Sequence, residues 1–324
     1  MKRKALFCKC ALFFACAVFI CVLAASCAST NYIERDYDKN LQKLMECQAY
    51  DEVGTAVVAD SAGATGTTAP AVPAVPAAFE IRENIDPVQA KKIRDYFKEN
   101  ADLDLDALAA SSKSTWEKAM ALAVFVAKNI PHDNQKKPLD DRSAIPLWEY
   151  SRRVPTGFNC RWHSIFLSEL MLSIGIKNRF ITCLPHDKHD GDCHVVNLVW
   201  LPELNKYAMI DSDMLEYVID EDGVPMSLAQ MREAVIAGEK LNIQVLPGFE
   251  DSWVANEAGL KYMQAYWTKN LYWFSAHTSI AFNLEGANRP QVDSYVALIP
   301  PGYDCSHSYR SGLETSNARV FWGE

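Results

Sequence analysis

Positive charge is scarce in this chain: 32 lysines and arginines stand against 41 aspartates and glutamates over 324 residues. Residues 1–26 hold four of the basic residues and none of the acidic ones, so the remainder carries a formal charge of −13. A surface of that sign repels phosphate and argues against nucleic acid or an anionic membrane surface as the partner. The chain also lacks a phosphate-cradling glycine loop, a dinucleotide-binding fingerprint and any nucleic-acid module. No acidic loop of the D-x-D-x-D-G type is present, so calcium is not implied, and no cofactor is expected. Internal repeats are absent. Even cysteine is scarcer than ten suggests, because four lie within the first 26 residues and a fifth, Cys27, follows directly. The five that remain are Cys47, Cys160, Cys183, Cys193 and Cys305. An odd number leaves at least one thiol unpaired in an oxidising compartment.

What is present begins with export. MKRK is a basic opening, and the apolar run CALFFACAVFICVLAAS ends in small residues, the pattern of a signal peptide over 1–26. The run closes as LAASC, which resembles the lipobox of bacterial lipoproteins. That resemblance implies that Cys27 becomes the lipidated first residue of a mature protein anchored in the bacterial cell envelope, periplasmic or surface-exposed. Residues 27–78 read as a tether: a short helix within YDKNLQKLMECQAY, then an Ala-, Gly-, Thr- and Pro-rich stretch of low charge without periodicity. Some 50 flexible residues span about 40 Å root-mean-square.

The folded body is expected over 79–225. Asp86-Pro87 opens a helix, Ser114 begins a capping box ahead of a second, and IPLWEYSRRV forms a third. From Cys160 to Ile174 the residues are apolar nearly all round, so this helix is central and buried, and Gly175 stops it. The period then changes: NRFITCL, CHVVNLVWL and KYAMID are short β-rich runs separated by turn signals. Helices followed by an antiparallel sheet define an α+β fold. Residues 226–324 add a helix, an aromatic-rich stretch and a further strand, expected as an extension packed on that core.

Cys160 is placed where its chemistry matters. A helix N-terminus offers unpaired N–H groups and the positive end of the helix dipole, and both favour a thiolate. The same groups can donate to an oxyanion formed beside the sulfur. His194 opens one strand, Asp211 closes the next, and a turn at PELN would set them side by side as base and orienting partner. The order Cys–His–Asp, at spacings of 34 and 17, fits one compact helix-plus-sheet unit.

A cysteine on a long apolar helix ending L-x-x-x-G-I, then a strand, then H-V-V-N-x-V-W-L, then a strand ending I-D, resembles the transglutaminase-like superfamily. The upstream FVAKNIPHDN resembles the segment that precedes the catalytic helix there. The resemblance covers about residues 115–215 and implies a papain-like α+β core with Cys160 as nucleophile, His194 as base and Asp211 as orienter. Its members include cross-linking enzymes, peptidases, amidases and inactive scaffolds. Here Arg161, Trp162 and His163 follow the cysteine, where the family often has a small or acidic residue. Ser212 and Asp213 follow the aspartate in place of a common proline, which makes Asp213 the alternative partner.

Other residues have plainer readings. His163, one turn beyond Cys160, is expected to be structural or solvent-facing, because it has no carboxylate partner at helical spacing. In CLPHDKHDGDCH, a disulfide between Cys183 and Cys193 flanking a hairpin loop is expected ahead of a zinc site. Trp148 or Trp162 is assigned to the cleft, and the remaining tryptophans to the core. The expected function is a thiol enzyme acting on amide bonds of a peptide or protein substrate, hydrolytic in preference to transglutaminase. Water is the one acceptor that needs no further binding site. The alternative is an inactive, surface-anchored binding or scaffold protein on the same fold.

Overall fold

The computed structural model describes residues 32–47, 50, 80–134, 139–291, 293–304 and 313–323. The signal segment, Cys27, Cys305 and most of the expected tether lie outside them. Among the described residues no helix is long and apolar enough to cross a membrane.

Local chemistry sets the helix starts. After α1 (Tyr37–Glu46) and the short β1 (Arg82–Asn84), helix α2 (Pro87–Asn100) begins where the Asp86 carboxylate accepts from Val88 N at 2.8 Å, with Pro87 inside the first turn. A short α3 (Leu105–Ala110) leads to α4 (Thr115–Asn129), whose Ser114–Glu117 capping box is complete. Helices α5 (Ala144–Arg153) and α6 (Cys160–Ser173) follow. Every residue of α6 from Trp162 to Ser173 is buried, and the chain leaves through Gly175 at φ +79°, a conformation open to glycine.

Six strands make the main sheet. They are β2 (Asn178–Leu184), β3 (His194–Leu201), β4 (Lys206–Ile210), β7 (Trp273–His277), β9 (Tyr295–Leu298) and β10 (Leu313–Thr315), in the order β10-β9-β7-β2-β3-β4. All pairs are antiparallel except β9 with β10. Small two-stranded sheets join β5 (Glu216–Ile219) to β6 (Asn242–Val245), and β1 to β8 (Ser279–Ala281). Alternation along β3 serves two cores. Val195 and Val199 face a cluster built from α2, α4, α5 and α6, whereas Val196 and Leu198 face the other side. There they meet α1, α7 (Leu228–Ile236), α8 (Glu257–Asn270) and the terminal α9 (Ala318–Trp322). The molecule is α+β, with helices on both faces of a mostly antiparallel sheet.

Two boundaries differ from those expected. Residues 226–324 are not appended to a finished core: β7 pairs with β2 at the middle of the sheet, and the region supplies three of its six strands. The short strands there are broken by prolines and turns, which hides their register from the sequence. The start of the expected tether is also docked. Leu44 of α1 is wholly buried, Tyr50 donates to Tyr272 O at 2.9 Å, and Arg232 lies 4.4 Å over the Tyr50 ring.

Candidate active site

The front of α6 is built around a close backbone approach. Phe158 N donates to Pro131 O at 2.9 Å and Asp133 N to Phe158 O at 2.7 Å, which pins the 131–133 segment beside the turn ahead of Cys160. A Cβ on Gly157 would fall 1.9 Å from Pro131 O, so the glycine in GFNC is a steric necessity. Asn159 caps the helix, accepting from Trp162 N at 3.0 Å. Cys160 is half-buried, and the N–H groups of Cys160 and Arg161 have no acceptor within their own helix.

His194 is the first residue of β3, opposite Cys183 of β2. Its Nε2 donates to Asp211 Oδ2 at 2.6 Å. The second oxygen of Asp211 accepts from Asp213 N at 2.8 Å and Met214 N at 3.1 Å, which locks the carboxylate. Asp211 and Glu216 exchange both backbone hydrogen bonds, at 2.9 and 3.0 Å, and so close the loop between β4 and β5. Burial alone would push the His194 pKa down. The Asp211 charge and hydrogen bond, together with Cys160, instead hold it well above the ordinary histidine value. Asp211 thus favours the protonated imidazole, and its remaining nitrogen, Nδ1, is the one available to the sulfur. His194 also contacts Tyr266 and Trp267 of α8 edge-on, with ring centroids 5.3 and 5.4 Å away.

The same loop delivers a second carboxylate. Asp213, buried, accepts from His132 Nδ1 at 2.9 and 3.0 Å through its two oxygens, and His163 Nε2 lies 3.4 Å away. Burial works to raise the Asp213 pKa, but the two histidines overcome it and hold the group below the ordinary carboxylate value. Hydrogen bonding to Asp213 raises His132. Desolvation lowers His163, which is buried and not solvent-facing. The carboxylate that His163 lacks on its own helix arrives from the loop after β4. His132 was legible only as a member of FVAKNIPHDN, and nothing in the spacing ties it to a residue 81 positions on.

No disulfide joins Cys183 to Cys193. The register puts His194, not Cys193, across from Cys183, and a one-residue offset moves a side chain to the other face. Burial raises the Cys183 thiol well above its ordinary pKa. Two of the three acidic groups of CLPHDKHDGDCH are used by a lysine: Lys269 Nζ, buried, binds Asp190 at 3.1 Å and Asp192 at 2.7 Å. Trp148 and Trp162 are core residues and not cleft walls. Trp148 stacks on Phe125 and Phe166, and Trp162 meets Phe158 edge-on. Arg161 extends from the helix start to Glu285 at 2.6 Å and Thr182 at 2.9 Å, tying α6 to the sheet.

Among the described residues, Cys160, His194 and Asp213 present ligand atoms within 4.8 Å of one another. The donor set is of a kind that zinc accepts. Both Asp213 oxygens already accept from His132, and His194 Nε2 is held by Asp211, so these contacts define an acid–base cluster and no metal is assigned.

Residues 104–212 match the model of the transglutaminase-like superfamily, and this span includes Cys160, His194 and Asp211. That stretch, about a third of the chain, is similar to the superfamily's core domain. A solved structure of a candidate cysteine protease from Cytophaga hutchinsonii is similar over 38% of this chain and 37% of that one, at 14% identity and a TM-score of 0.27. No curated protein matches.

Proposed function

We propose that this protein is an exported thiol enzyme that cleaves amide bonds of a peptide or protein, held to the bacterial envelope by lipid on Cys27. The observation that carries the reading is the 2.6 Å bond from His194 Nε2 to Asp211, with Cys160 at a helix N-terminus beside the same imidazole. In the reaction the Cys160 thiolate attacks the amide carbonyl, a C–S bond forms, and the oxyanion takes hydrogen bonds from the first turn of α6. The imidazolium of His194 protonates the amine as the C–N bond breaks, leaving a thioester. Water then adds to the thioester, its proton restores the His194 imidazolium, the C–S bond breaks, and a carboxylic acid leaves with the thiolate restored. Transfer to an amine is the same sequence with a different acceptor. Hydrolysis is preferred because water needs no binding site of its own.

The test is a peptide-library screen with the mature chain, repeated on Cys160→Ser. The reading expects cleavage by the wild type and at least a 10³-fold loss in the variant. Full activity of Cys160→Ser on any substrate of the wild type would overturn it.

A further inference from the structure

We propose that His132, held by Asp213, is a second general base at the thiol site, serving the acyl acceptor while His194 serves the sulfur; this rests on Cys160 being the nucleophile. The two histidines are held by different carboxylates, through opposite ring nitrogens. His194 gives Nε2 to Asp211 and keeps Nδ1 for the sulfur, and it is wholly buried. His132 gives Nδ1 to both oxygens of Asp213, which fixes the tautomer and leaves the Nε2 lone pair for an incoming proton. Its side chain is 41% exposed, so an acceptor arriving from solvent meets His132 before it can meet His194.

The second dyad is fixed to the first. An Asp213 oxygen lies within 4.8 Å of both the Cys160 sulfur and a His194 ring nitrogen. The backbone bonds between 131–133 and Phe158, permitted by Gly157, fix His132 beside the front of α6. A buried carboxylate beside a nucleophilic sulfur opposes the negative charge that the chemistry needs there. The carboxylate keeps the His132 imidazole basic, its hydrogen bond raising the pKa against the cost of burial.

In the step assigned to this dyad, the acceptor oxygen or nitrogen bonds to the thioester carbon and its proton passes to His132 Nε2. The C–S bond then breaks, and the proton moves on to re-form the imidazolium of His194 opposite the released thiolate.

The experiment uses p-nitrophenyl acetate on the full mature chain by stopped flow, with intact-mass detection of acetyl-enzyme. The burst reports acylation and the steady rate reports deacylation. His132→Gln is expected to keep the burst within about twofold and to lower the steady rate about 10²-fold, the low end for a lost general base. Acetyl-enzyme should accumulate at Cys160, and hydroxylamine, which needs no base, should discharge variant and wild type alike. Asp213→Asn, nearly the same shape, should move the steady rate in the same direction. An unchanged steady rate in both variants, or burst and steady rate falling together, overturns the second base and leaves the Cys160 reading standing. A wild type without a burst overturns both.

Discussion

His194 and Asp211 lie at the ends of two neighbouring strands, and their side chains meet at 2.6 Å with both buried. This contact decides the chemistry of the site. It fixes the imidazole plane, dictates which ring nitrogen faces Cys160, and raises the base above its ordinary pKa against the cost of burial.

Replacing Asp211 by Asn keeps the shape but removes the charge and permits the wrong tautomer. Turnover of any amide substrate is expected to fall about 10³- to 10⁴-fold with folding intact. The same substitution at Asp213 should leave acylation nearly unaffected, which separates the roles of the two carboxylates. Single-turnover kinetics on both variants makes the comparison.

Gly157 has no room for a methyl group. Gly157→Ala must push the 131–133 segment away from the helix start, at a cost of about 3 kcal/mol in stability. Thermal melting reads that loss. Labelling of Cys160 should slow as well, because the displaced turn is the one that carries the cysteine.

Glu216, buried with Trp267 Nε1 donating to it at 2.6 Å, has its pKa raised to about 8 by burial and then by the Asp211 charge. The folded state therefore favours the protonated acid. Its stabilising contribution is complete below the ordinary value of 4.5 and is lost as pH rises to about 8. The slope is on the order of 1.4 kcal/mol per pH unit for one group. In denaturant titrations, Glu216→Gln should flatten this decline and be more stable than wild type at pH 8. A steeper decline in the variant would contradict the assignment.

With a lipid on Cys27, the docked α1 changes how the body is held. Six Cα–Cα steps separate Cys27 from buried Ile33, a contour of at most about 22 Å, where a free tether to residue 79 would average about 40 Å. Energy transfer from a label at exposed Lys39 to acceptor lipids should be unchanged when residues 54–75 are shortened, because that stretch does not lie between anchor and α1. Greater transfer on shortening would mean that the long segment carries the body.

Much of this architecture is legible in the residues themselves. Asp86-Pro87, Ser114 with Glu117 and the apolar run after Cys160 announce their helices through local capping and burial, and the strands opening at His194 and closing before Asp211 follow from short β-rich runs bounded by turn signals. Those signals are short-range, and the long-range ones are missing. Nothing local tells β7 to enter the sheet beside β2, although the two lie about ninety residues apart. His132 and Asp213 meet for the same reason unannounced, each on an irregular segment positioned by other elements. His163 is structural, as its place on α6 suggests, but its carboxylate partner is tertiary and so invisible at helical spacing.

The most direct test of the account is the pH dependence of iodoacetamide labelling on reduced residues 28–324, with sites located by mass spectrometry. A thiolate–imidazolium pair predicts selective labelling of Cys160 well below pH 8, weakened by His194→Ala. Labelling that appears only above pH 8, or that is spread evenly over the cysteines, would contradict it and leave a fold that kept its shape without its chemistry.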